Sequence, residues 1–122
     1  MQLEHFSLDE FKCKHCGKVL MKEEFLSMLD KARDLADVPF VITSGYRCEK
    51  HNRNVGGTPN SSHIKGYAAD IATRNSADRF KIVFGLIMAG FRRIGIGEDF
   101  VHVDNDPEKP SGVVWTYYKK KK

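Results

Sequence analysis

Ser61-Ser62-His63-Ile64-Lys65-Gly66-Tyr67-Ala68-Ala69-Asp70 carries one histidine in a polar loop and an aspartate on a run of small residues. Further along, Phe100-Val101-His102-Val103-Asp104 places a second histidine in a β-type run. The stretch from Tyr67 to Thr73 also reads as a strand, and its alanines permit close packing. If the two strands are neighbours, His63, Asp70 and His102 converge on one point. Gly66 lets the backbone turn between the first two. Two imidazoles and a carboxylate suit zinc, and three protein ligands leave a fourth position open, the arrangement of catalytic rather than structural sites.

Working outward, KEEFLSMLDKARDLA over residues 22–36 sets Phe25, Leu29, Ala32 and Leu35/Ala36 at helical spacing, with acids in the first turn and bases later. Pro39 ends that helix and introduces Phe40-Val41-Ile42-Thr43, which reads as a buried strand. The segment from Ser44 to Gly66 is rich in Gly, Asn, Ser and Pro and too long for an idle loop, which points to function. Ser76 is placed to cap a second helix, with Phe80, Val83, Phe84 and Ile87 as its buried stripe and Gly90 as its stop. Three short β-type runs follow, over residues 93–97, 100–104 and 113–118. Two main helices and a small, mostly antiparallel sheet predict an α+β fold.

At 122 residues the chain supports one domain with one core. Residues 1–20 read as an irregular arm and 119–122 as a basic tail. The composition, 41% hydrophobic and 30% charged, is that of a globular chain and excludes a disordered or fibrous one. No apolar run reaches the length of a membrane span, so no membrane insertion is expected. The start, MQLEHFSLDEF, has neither the basic nor the apolar region of a secretory signal. The expectation is therefore synthesis in the cytoplasm, with any extracytoplasmic target reached by release. The formal charge is +4, but Lys119 to Lys122 supply it and the body is close to neutral. That tail reads as solvated, or as a tether to an anionic polymer.

Three cysteines are an odd number, unlike the disulfide framework of a secreted mini-protein. Cys13-x-x-Cys16 and Cys48-x-x-His51 together offer the ligands of a Cys3His structural zinc site, which would clip the arm against the loop carrying Arg47. Free buried thiols, or a disulfide of Cys48 with one of the pair, are the alternatives. His15 is a spare donor.

The pattern S-x-H-x-x-G-x-A-x-D of residues 61–70, followed by the strand F-V-H-V-D, resembles the zinc D-Ala-D-Ala carboxypeptidase and L-Ala-D-Glu endopeptidase family. That family includes phage endolysins and shares its fold with the hedgehog signalling domain. Ser44-Gly45-Tyr46-Arg47, His51-Asn52, Val55-Gly56-Gly57 and Gly95-Ile96-Gly97 extend the resemblance over roughly residues 20–118. It implies a zinc peptidase that cuts peptidoglycan stem peptides, as a phage lysin does when released onto the wall.

Carried over, His63, Asp70 and His102 match the metal ligands, and Arg47 matches an arginine that holds a substrate carboxylate or the carbonyl oxygen under attack. The family spacing puts the general base at Asp99, three residues before the last histidine. Strand alternation instead puts Asp104 on the face of His102. Either acid suits proton transfer, and the other then orients a histidine.

Two other classes compete. An HNH-like or zinc-ribbon nucleic-acid protein requires a second C-x-x-C or a His-rich ββα unit, and the sequence has neither. A non-catalytic metal-binding module of the same fold would dispense with Arg47 and the acids. The expected partner is thus a peptidoglycan peptide rather than nucleic acid, with a monomer as the default.

Overall fold

The computed structural model describes residues 2–117. A short 3-10 turn over Leu8–Phe11 is followed by α1 (Glu23–Ala36), β1 (Ile42–Ser44), α2 (Glu49–Asn54) and β2 (Ala68–Ala72). Then come α3 (Ser76–Met88), β3 (Arg93–Ile96), β4 (Phe100–Asp104) and β5 (Val113–Thr116). The fold is α+β, as the sequence predicts. The strands form one sheet in the order β1-β2-β4-β3-β5.

Neighbouring strands are antiparallel except β3 and β5, which run parallel, so the sheet is mixed rather than wholly antiparallel. The cause is the connection over residues 105–112. It carries the chain from the end of β4 past β3 to the far edge, and a parallel pair needs such a crossover.

Period-two alternation divides the sheet into two faces. Ala69, Ile71, Val101, Val103 and Ile94 point to the core under α1 and α3, while Asp70, His102 and Asp104 point away from it. From α1, Phe25, Leu26, Leu29, Ala32 and Ala36 enter the core. Each large side chain fully buried there contributes about 1.5–3 kcal/mol.

Three elements differ from the sequence expectation. The cap of α3 is Asn75, whose side chain accepts the Asp78 N–H at 2.8 Å, and not Ser76. Its buried face is Ile82, Gly85 and Leu86, whereas Phe80, Phe84 and Ile87 are exposed. The helix is rotated because it docks on α1 backbone to backbone. A Cβ on Gly85 would overlap the Ala32 carbonyl and come within 2.7 Å of the Ala36 methyl. Small residues on both sides allow this approach, and the larger apolar stripe is left outside.

Second, β1 is a three-residue edge strand beginning at Ile42. Phe40 is buried ahead of it, and Val41 is 60% exposed. Third, the long loop contains α2, which the sequence reading does not predict; Cys48 is its N-cap.

The arm is not peripheral. Phe6 and Phe11 are buried, meet edge to face at 5.3 Å, and pack against Phe40.

Candidate metal centre

The β2–β4 ladder sets Asp70 opposite His102 and Ala68 opposite Asp104. His63 comes from the turn before β2. In that turn Gly66 adopts φ +81°, with the Leu20 carbonyl where a Cβ would stand, so only glycine fits. His63 Nε2 lies 3.3 Å and His102 Nδ1 2.9 Å from the same oxygen, Asp70 Oδ1. All three ligand atoms fall within 4.8 Å of one another.

The far side of each imidazole is fixed. His63 Nδ1–H donates to the Gly45 carbonyl at 2.8 Å, and His102 Nε2–H donates to Asp104 Oδ2 at 2.7 Å. This is the usual way outer groups set ring orientation and tautomer for metal binding. It leaves His63 Nε2 and His102 Nδ1 facing Asp70. Asp104 is itself saturated, since Oδ1 accepts from Arg93 Nε at 2.7 Å and from the Asp106 N–H at 3.2 Å.

Burial works against charge throughout this cluster. It lowers His63, the dominant influence on that ring. Burial also opposes a charged His102, but hydrogen bonds to Asp104 and Asp70 outweigh it and raise that ring. For Asp70, burial alone would raise the carboxyl. The two histidines reverse this and hold it well below the usual carboxylate range. Asp104 is lowered in the same way by His102 and Arg93.

Arg47 reaches the centre from the loop after β1. Its Nε donates to Ser44 Oγ at 2.9 Å, Nη1 to Asn52 Oδ1 at 3.3 Å and Nη2 to Asp70 Oδ2 at 3.3 Å. Asn52 is buried and anchored through its own Nδ2 on the Thr58 carbonyl at 2.7 Å. One N–H on each terminal nitrogen of Arg47 is left for a ligand. His63, Asp70 and His102 line an open cleft of about 300 Å³, which residues 55–58, Arg93, Lys109, Trp115 and Tyr117 also line.

Over residues 4–104 the sequence matches the family model described as Peptidase M15. The chain belongs to the peptidase M15 family. No curated protein matches it. M15 peptidases are zinc-dependent, and the donors present in this M15 chain fit that metal: two imidazole nitrogens and one carboxylate oxygen converge, the outer nitrogens of both rings are held by hydrogen bonds, and all three residues line the cleft.

The fold brings His63, Asp70, His102, Arg47 and Asp104 of this M15 chain together. Asp99 stands apart at the entry to β4, exposed, and lines an adjoining hollow with Arg47, Asp70 and Phe100. Cys13, Cys16 and Cys48 form a second cluster, which neither the His51 nor the His15 ring joins. The basic tail, Lys119 to Lys122, lies outside the described residues. No described helix is long and apolar enough to cross a membrane.

Sequence reasoning missed Arg93, Trp115 and Tyr117, which reach the cleft only through strand register. Asn52 had a signal, since His51-Asn52 was among the matched motifs, but no role.

Proposed function

We propose that this M15 chain is a zinc metallopeptidase that hydrolyses a peptide bond in peptidoglycan stem peptides, of the D-Ala-D-Ala carboxypeptidase or L-Ala-D-Glu endopeptidase type. The observation that carries the reading is the convergence of His63, Asp70 and His102 on the floor of an open cleft, with Arg47 bound to the other oxygen of Asp70.

His63, Asp70 and His102 would hold the zinc, which would supply the Lewis acidity that polarises a carbonyl and lowers the pKa of water toward neutrality. The residues do the rest. Gly45 and Asp104 keep the two rings aimed, so no reorganisation is needed during turnover. Arg47, braced by Ser44 and Asn52, offers its remaining N–H groups to a substrate carboxylate or to the oxygen that gains charge as the carbonyl is attacked.

Asp99 takes the proton from the attacking water and returns it to the leaving amine. Its support is by contrast with Asp104. Asp104 has both oxygens committed to His102, Arg93 and the Asp106 N–H, whereas Asp99 is exposed beside the cleft. Asp104 is then a positioning residue.

The test is incubation of the protein with intact peptidoglycan, and separately with plasmid DNA, with and without chelator. Mass spectrometry of the peptidoglycan products should reveal new amino termini, which also identify the bond cut. These should vanish with chelator, return with added zinc, and be absent for His102→Ala. Intact peptidoglycan after incubation with fully zinc-loaded protein would mean a non-catalytic module, and nicked DNA beside it would mean a nuclease.

A further inference from the structure

The cysteine cluster lies at the junction of the arm and α2 and takes no part in the chemistry above. Cys13 and Cys16 sit in a tight turn closed by Cys13 N–H to the Lys18 carbonyl and Gly17 N–H to the Cys13 carbonyl, both 2.8 Å. Cys48 comes from the N-cap of α2. No pair is joined in a disulfide, yet the three sulfurs lie within 4.8 Å of one another. A single disulfide would leave the third thiol without a purpose in this arrangement.

Backbone donors surround the sulfurs. Cys48 N–H donates to Cys13 Sγ and His51 N–H to Cys48 Sγ, each at 3.4 Å. Such N–H···S contacts favour thiolates, the form that binds metal. A tetrahedral zinc with Zn–S near 2.3 Å and Zn–N near 2.0 Å needs S···S of about 3.8 Å and S···N of about 3.6 Å. The His15 ring approaches the second requirement toward one sulfur, with Nδ1 3.7 Å from Cys48 Sγ, and its exposed side chain would have to turn to reach the other two.

We propose that Cys13, Cys16 and Cys48 bind a second, structural zinc ion, with His15 as the fourth ligand. His15 takes the place that the C-x-x-H spacing suggests for His51, whose contribution is its backbone N–H. Four protein ligands leave no open position, so the site is structural.

Its work is to fix the segment from Gly45 to Cys48. Gly45 is pressed on the arm, with Phe11 Cα 2.6 Å from where its Cβ would be, and Tyr46 N–H donates to the Phe11 carbonyl at 2.8 Å. The same segment supplies the carbonyl that orients His63, and Arg47 itself. The second zinc therefore staples the arm to the two groups that aim the first centre.

The test is cobalt titration of the reduced, metal-free wild-type protein. Two equivalents should bind, one of them giving a near-ultraviolet thiolate-to-cobalt charge-transfer band. His63, Asp70 and His102 contain no sulfur, so that band reports the cysteine site alone and does not depend on peptidase activity. Cys16→Ser, at an exposed position, should abolish the band and leave one equivalent bound. His15→Ala should weaken this second site by more than about 10-fold, and His51→Ala should not.

A single equivalent without the band in fully reduced wild-type protein would overturn the proposal. So would a disulfide between two of these cysteines in protein expressed and purified with zinc present throughout. Equal weakening by His51→Ala and His15→Ala would overturn the assignment of the fourth ligand.

Discussion

Asp70 and His102 are cross-strand partners in the β2–β4 ladder, and their side chains meet on the face away from the core, with Oδ1 2.9 Å from Nδ1. Two of the three proposed zinc ligands are thus placed by sheet hydrogen bonding alone. Inserting one residue in β4 ahead of His102 would turn the histidine toward the helices. Such an insertion is expected to abolish zinc binding at this centre, as read by metal content, and to destabilise the fold because Val103 would be turned out and Asp104 turned in.

Asp99 and Asp104 are separated by what each substitution should disturb. Asp104→Asn should lower zinc affinity by about 10–100-fold, because the His102 ring loses its orienting carboxylate. Asp99→Asn should keep zinc affinity while lowering kcat by about 10²–10⁴-fold. Competition with a chromogenic chelator, paired with turnover at saturating zinc, reads both. The reverse pattern would exchange the two roles.

Arg47→Lys should behave almost as badly as Arg47→Ala, with a loss of about 10²–10³-fold in kcat/KM at unchanged metal content. A lysine has one charged centre and cannot bond Ser44, Asn52 and Asp70 together while presenting further N–H groups. Steady-state kinetics on a defined stem peptide check this. Full rescue by lysine would reduce Arg47 to a point charge.

Asp106 sets an acid limit on the metal-free fold. Burial would raise its carboxyl, but the Glu108 N–H, the Ser62 hydroxyl and Lys65 more than offset this and lower it. A depressed folded-state value means the contribution is complete above the ordinary carboxylate value near ~4 and is lost as pH falls through the lower folded value. Urea unfolding of chelator-treated protein should show stability falling on acidification in that window, with a shallower fall for Asp106→Asn. Equal slopes would remove Asp106 from the account.

Gly85 is predicted to tolerate no side chain. Gly85→Val should lower stability by about 1–3 kcal/mol or more by forcing α3 off Ala32 and Ala36. Phe84→Ser, on the exposed side of the same helix, should stay within about 0.5 kcal/mol. Thermal unfolding of the two variants compares them directly.

That contrast also explains what could be read from the sequence. The convergence of His63, Asp70 and His102 was legible because ligand chemistry restricts residue types and because strand alternation is local. The two apolar stripes of α3 are both helical in period, and nothing local says which one docks. The choice falls to a long-range contact between Gly85 and the α1 backbone, and bulk alone favours the wrong stripe. Arg93 reaches Asp104 through the register of β3 on β4, and Trp115 reaches the cleft through the parallel pairing of β5, neither of which is encoded within its own strand. The cap of α2 by Cys48 was hidden because cysteine is not among the residues that announce a helix start.

Because Phe6 and Phe11 sit inside the core and Phe11 backs Gly45, the segment from Phe6 to α1 cannot be trimmed without opening the folded unit. Cutting the chain before Lys22 would uncover Phe40 and remove the support behind the carbonyl that steers His63. For anyone shortening this protein or fusing it to another, the folded unit begins well upstream of the first regular helix, and a join belongs before Phe6.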